Sequence, residues 1–289
     1  MSMKIITLMS VALSLLVTTG AFADSFKLSG VRAATSKAEF CKQAAKNPHY
    51  FQSLLLNEEN IMAFTNEGGL LNGGVCWWHS RLTRNATYMA IYRPDLPRPS
   101  DAEVDKILSK LKSGNSVVEI PGYRNFREFT SDYRTKIQGL LESWQITHGV
   151  LGLGFVGGNI GGLEGVDPAL IDSIMDRLYE RIVKRGQVVY QYLQMPGVVA
   201  HAWLVVDMVK TKNGYDLKVV DSNYLNPTTV SYVYGQTMQY AGWYPFNPYI
   251  NRTTELWNIV KTVEKYCKIK MEKADDYSPI NYQQLSPPR

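Results

Sequence analysis

The chain is poor in the side chains that most often do chemistry. Its 289 residues include 4 histidines and 3 cysteines. No grouping of His, Cys and acidic residues has metal-ligand spacing, which argues against a zinc centre, and no cofactor is implied. Charge of one sign is also scarce, since 31 Lys+Arg face 26 Asp+Glu for a net +5. With no Lys/Arg cluster, nucleic-acid binding gets no support. A low-complexity linker is missing too, so one domain is expected over residues 24–271, acting as a monomer.

Beyond the N-terminus, no apolar run is long enough to span a bilayer. At the N-terminus, Lys4 precedes an apolar stretch from Ile5 to Val17, and Ala21-Phe22-Ala23 puts small residues where a signal peptidase reads. Residues 1–23 therefore read as a signal peptide, leaving Asp24 as the mature start of a secreted or periplasmic protein with no membrane partner. All three cysteines, Cys41, Cys76 and Cys267, lie in the mature part. An odd count in an exported chain leaves one thiol unpaired unless it bonds another chain. A Cys41–Cys267 pair would tie an N-terminal helix to a C-terminal one and leave Cys76 free, although sequence alone does not give connectivity.

What is present divides into a helix-rich part, about 36–186, and a strand-rich part, about 187–250. Ser36 with Glu39 and Ser100 with Glu103 are capping boxes. A second helix is expected within 49–65, a central helix from Cys76 to Pro94, and one long helix through Phe126 and Trp144. Asp167-Pro168 opens another. Beyond Gly186, the stretches 187–193, 198–209, 216–220 and 228–234 are rich in Val, Tyr and Trp and read as strands. Asn213-Gly214 is a hairpin signal between the second and third. Tyr240 to Tyr249 reads as an aromatic loop, 254–266 as a last helix, and 272–289 as a flexible tail. The fold class is α+β.

Chemistry concentrates in Gly73-Gly74-Val75-Cys76-Trp77-Trp78. A thiol at a helix start sits among unpaired N–H groups at the positive end of the macrodipole, and both favour a thiolate. His201 opens an apolar strand, and Asp221 and Asn223 close the next. Nucleophile, base and orienting group thus occur in the order Cys, His, Asp or Asn. Gly152 to Gly157 matches G-x-G-x-x-G by chance, because a helix precedes it and more glycines follow. That glycine-dense stretch, including Gly157 and Gly158, suits a loop beside a substrate backbone.

Together, Gly74-Val75-Cys76-Trp77, His201-Ala202 and Asp221-Ser222-Asn223 resemble the papain-like cysteine peptidases, in a divergent, exported, bacterial form. The resemblance implies a two-lobed fold, with a helical lobe around the nucleophile helix followed by an antiparallel sheet or half-barrel lobe. It also implies peptide-bond hydrolysis with Cys76 as nucleophile, His201 as acid/base, and Asp221 or Asn223 orienting the imidazole. Trp77 and Trp203 would line the substrate. The pattern departs from papain proper at Gly73, where a second cysteine is expected, and at Leu70, where an oxyanion glutamine is expected. Asn72 or Asn66 could supply that donor beside the Cys76 N–H. One register problem follows from the hairpin signal. If Asn213-Gly214 is the two-residue turn, His201 faces Asn226, and Asp221 and Asn223 point to the other side of the sheet. A bulge, a longer loop or strong twist is then required. Rival readings with the same residue order are a transglutaminase-like acyltransferase and an amidase acting on peptidoglycan stem peptides. A third is a non-catalytic exported binding protein on a degenerate fold of this kind.

Overall fold

A computed structural model describes residues 25–151, 168–194, 200–240, 244–250 and 253–271. The expected signal peptide, Gly157, Gly158, Asp167, Trp243 and the C-terminal tail lie outside them. The fold is α+β. Helix α1 (Lys37–Lys46) starts where the Ser36 hydroxyl accepts the Glu39 N–H and Glu39 accepts the Thr35 N–H. Helix α2 (Tyr50–Leu55) is shorter than the expected second helix.

Helix α3 (Cys76–Met89) begins where the sequence placed it and ends earlier. Ala90–Arg93 forms strand β1 instead, paired in parallel with β2 (Val118–Pro121). Tertiary pairing there overrides the helical spacing that ran on to Pro94. Between these strands lies α4 (Asp101–Ser113), capped by the Ser100/Glu103 box and stopped by Gly114 in the left-handed region. The single helix expected through Phe126 and Trp144 breaks at Tyr133, which leaves helical geometry, into α5 (Phe126–Asp132) and α6 (Arg134–Trp144). A π-helical turn, Gln145–Val150, extends α6.

The sheet half holds β3 (Val189–Gln194), β4 (Ala200–Thr211), β5 (Gly214–Asp221), β6 (Thr228–Val233), β7 (Met238–Tyr240) and β8 (Tyr244–Ile250). They form one antiparallel sheet in the order β6-β5-β4-β3-β8-β7. The stretch read as an aromatic loop therefore contributes a strand. Its prolines argue against regular pairing on propensity alone, yet Pro248 stands opposite Leu193 and Pro245 opposite Gln239.

Alternation along β4 splits the core in two. Ala202, Leu204 and Val206 face the large cluster that includes Trp77, Trp78 and Leu82 of α3. Trp203 and Val205 face the other way, onto Ile171, Met175 and Leu178 of α7 (Pro168–Tyr179). Helix α7, grouped by sequence order with the first-half helices, thus packs on the sheet, because its apolar stripe matches the sheet's second face. Each such Val, Leu or Ile, fully removed from water, contributes about 1.5–3 kcal/mol of transfer free energy.

Helix α8 (Thr253–Cys267) closes the chain against α3 and α1. Cys267 is disulfide-bonded to Cys41 of α1, with Cα atoms 5.3 Å apart across 226 positions of sequence, and Cys76 takes no part in a disulfide.

Candidate functional site

The loop ahead of α3 bends tightly to deliver Cys76. Gly74 has φ +80°, and a Cβ there would lie 2.4 Å from the Asn66 amide nitrogen, so only glycine fits. The Val75 N–H, just before the helix, donates to Asn66 Oδ1. Gln145, reaching in from the π-helical turn, donates from Nε2 to the Gly74 carbonyl (2.9 Å) and accepts the Leu70 N–H on Oε1 (2.8 Å). Glu142 accepts the Gly69 N–H at 3.2 Å. Hydrogen bonds from Gln138 and from the Gly69 N–H hold the Glu142 carboxyl below its ordinary pKa, so it stays ionised. The loop before Cys76 is therefore gripped from two separate segments, and Cys76 emerges at the first turn of α3, 7% exposed.

On the sheet side, the turn is one residue earlier than the hairpin signal suggested. Thr211 pairs with Gly214, so Lys212 and Asn213 are the turn residues. The ladder slips between Val205 and Asp207, leaving Val206 as a bulge, and beyond it Trp203 pairs with Asp221. One extra residue in β4 reverses the facing of everything past it. It converts a register that would separate His201 from Asp221 into one that makes them diagonal neighbours. His201 Nε2 and Asp221 Oδ1 are 2.7 Å apart, both side chains nearly closed to solvent. The same Asp221 oxygen accepts the Asn223 N–H at 2.9 Å.

His201 is hydrogen-bonded to Cys76 as well. Burial pushes its proton off, but the charges of Cys76 and Asp221 and hydrogen bonds to both hold it on. The net result is a pKa raised to about 10. His79, one turn along α3 from Cys76, takes the opposite course. Its burial dominates, lowering its pKa to about 4 against the pull of the Phe64 carbonyl and Asp221, while His201 lowers it further. Its Nε2 lies 3.0 Å from the Phe64 carbonyl, which requires the N–H on that nitrogen. A neutral and a protonated imidazole thus sit close enough to feel each other's charge.

The structure brings Cys76, His201 and Asp221 together. Asn223 turns its Oδ1 to Asn66 Nδ2 at 3.1 Å instead. Asn66, expected as an oxyanion donor, is a strut. Its amide oxygen takes Val75, its amide nitrogen holds Asn223, and its backbone N–H donates to the Ser222 carbonyl. Asn72 is exposed at φ +56° in the 3-10 turn Leu70–Asn72.

Trp77 and Trp203, expected to line the substrate, are both buried. Trp77 is 3% exposed and packs edge-on to Tyr192 at 4.5 Å, while Trp203 is 1% exposed and donates to Gln191 on the α7 side of the sheet. Large apolar rings at these positions gain more from burial than from solvent. Sequence reasoning missed Gln145 and Glu142, which come from some seventy positions beyond the loop they hold and carry no local signal. It also missed Glu255 of α8, whose two oxygens take Arg81 (2.5 Å) and Arg84 (2.8 Å) on α3. Among the described residues there is no group of three or more potential metal ligands and no helix long and apolar enough to cross a membrane. No family model, curated protein or solved structure matches the chain.

Proposed function

We propose that the protein is an exported cysteine hydrolase of papain-like design that cleaves peptide bonds. One observation carries the reading: a buried imidazole bonded on Nε2 to Asp221 and hydrogen-bonded to a cysteine at a helix start. With Nε2 on Asp221, Nδ1 is the ring nitrogen left to exchange a proton with the sulfur. His201 takes the Cys76 proton, and the thiolate attacks the scissile carbonyl carbon, forming the C–S bond. N–H groups of the first turn of α3 stabilise the oxyanion. As the C–N bond breaks, His201 passes its proton to the leaving amine. Water, deprotonated by His201, then attacks the thioester, and the thiolate departs. Asp221 holds the ring in the productive tautomer and balances its charge. The disulfide supports passage through an oxidising compartment.

A non-catalytic binding role is favoured by one observation, the 7% exposure of Cys76. Alkylation separates the two readings. At near-neutral pH, iodoacetamide is expected to label Cys76 at least tenfold faster than an ordinary thiol, and Cys76→Ala to abolish peptide and ester hydrolysis. Slow labelling with no hydrolysis would leave the binding role standing.

A further inference from the structure

We infer that the substrate is an extended polypeptide with apolar side chains flanking the cleaved bond, one of which enters a cavity bounded by Leu70 and Ile146. The inference rests on the hydrolase reading for the position of the cleaved bond. A cavity of about 220 Å³ opens beside the nucleophile loop, with Gly68, Gly69 and Asn72 on one wall and Gln145 and Ile146 on the other. It is smaller than the roughly 300–1,000 Å³ that encloses a whole small-molecule ligand, and so suits a side chain of a longer chain.

Its mouth is apolar where a surface would normally be polar. Leu70 is 42% and Ile146 45% exposed, and Leu151, whose N–H bonds to the Ile146 carbonyl, is 75% exposed. The cavity borders the loop that delivers Cys76, because its lining residue Gln145 bonds both Leu70 and Gly74, two residues before Cys76. A second apolar pair stands where β5 ends. Tyr224, 48% exposed, donates its N–H to the Asp221 carbonyl, and Leu225 beside it is 39% exposed. Exposed large apolar side chains therefore stand both beside the loop that delivers Cys76 and just past Asp221, and exposed side chains of this kind suit apolar chain. The ionised Glu142 in the cavity sets a second rule, since it repels an acidic side chain. Cell-wall stem peptides, which are small and carry carboxylates, fit this surface poorly.

The test measures binding and cleavage separately. Fluorescein-labelled ten-residue peptides, one rich in Leu and Phe, one with those residues changed to Glu, are titrated into the Cys76→Ala protein with a murein stem peptide as competitor. The apolar peptide is expected to bind at least tenfold tighter than its acidic counterpart, with no displacement by the stem peptide. Leu70→Glu with Ile146→Glu, both at exposed positions, is expected to erase that preference. In the Cys76-containing protein the same pair is expected to lower kcat/KM on the apolar peptide at least tenfold, and p-nitrophenyl acetate hydrolysis by the unsubstituted protein reports the thiol separately. Equal binding of both peptides, or unchanged binding in the double variant, overturns the inference even if the ester is hydrolysed. Selective peptide binding without any ester hydrolysis overturns the catalytic reading and leaves the surface in place.

Discussion

Helices α3 and α7 cover opposite faces of one sheet and are held there by different means. Helix α7 presents Ile171, Met175 and Leu178 to the sheet, an apolar stripe whose attraction is strong but has little direction. Every residue of α3 is buried, among them His79, Ser80, Arg81, Thr83, Arg84, Asn85 and Thr87. Each polar contact pulls from a different quarter. Ser80 donates to the Ala202 carbonyl in β4, Asn85 to the Leu111 carbonyl in α4, and Arg81 and Arg84 share Glu255 of α8. Hydrogen bonds have narrow geometric limits, so these contacts fix α3 in rotation and translation where apolar packing would leave latitude. The helix that must hold a sulfur against an imidazole is the one positioned by directional bonds.

The comparison breaks most readily at Glu255. Glu255→Leu leaves two guanidinium groups without their carboxylate, and the Arg84 side chain is only 1% exposed. Removing one partner of a buried ion pair costs about 3–5 kcal/mol, reduced here to about 2–4 because the Glu255 side chain is 27% exposed. Met175→Ala in α7 is expected to cost about the same, roughly 2–4 kcal/mol, through an apolar cavity. Urea denaturation should find the two variants similarly destabilised. Their activities should differ: at temperatures where both remain folded, kcat/KM falls at least tenfold for Glu255→Leu and stays within twofold for Met175→Ala. If the α7 variant loses as much activity, directional anchoring of α3 is not what positions Cys76.

A smaller effect sharpens the same contrast at Asn66, which links the entrance of α3 to the end of β5. Asn66→Ala removes the acceptor for Val75 and the donor to Asn223. The expected loss is about 1–3 kcal/mol of stability, from polar groups left unsatisfied, with a drop of about 10- to 100-fold in kcat and little change in KM. Asn66→Asp, which retains the acceptor for Val75 and loses the donor, should fall between. Equal losses in the two variants would mean that the Asn223 contact alone matters.

How much of this was legible beforehand follows from the range of each signal. The start of α3 and the strands carrying His201 and Asp221 were readable because spacing and composition act locally. The disulfide was one arithmetic option among three cysteines. The Val206 bulge left no mark, since Val is as ordinary in a bulge as in a ladder, yet it decides whether His201 and Asp221 share a side. Strand β8 was hidden by prolines that its partners accommodate. Gln145, Glu142 and Glu255 stayed invisible because each acts on a segment distant in sequence. Trp77 and Trp203, expected beside the substrate, are buried, and the sequence hid this for a related reason: an aromatic beside such a motif looks the same in sequence whether it faces a cleft or a core.

The finest test of the contrast is the pH dependence of stability, where the two histidines near Asp221 should pull in opposite directions. His201, raised from 6.5 to about 10, takes up a proton on folding in that window. Its contribution is fully present below 6.5 and is lost as pH rises through about 10. His79, lowered to about 4, must be neutral in the folded protein, so its contribution is present above 6.5 and is lost as pH falls toward 4. Each slope is at most about 1.4 kcal/mol per pH unit for one proton. Stability should therefore crest near pH 6.5, and the two limbs should answer to different substitutions: Asp221→Asn should flatten the alkaline one and His79→Gln the acid one. Truncations in α7 should lower the whole curve without bending it, because no histidine lies on that helix. An acid limb unchanged in His79→Gln would mean that other groups set it.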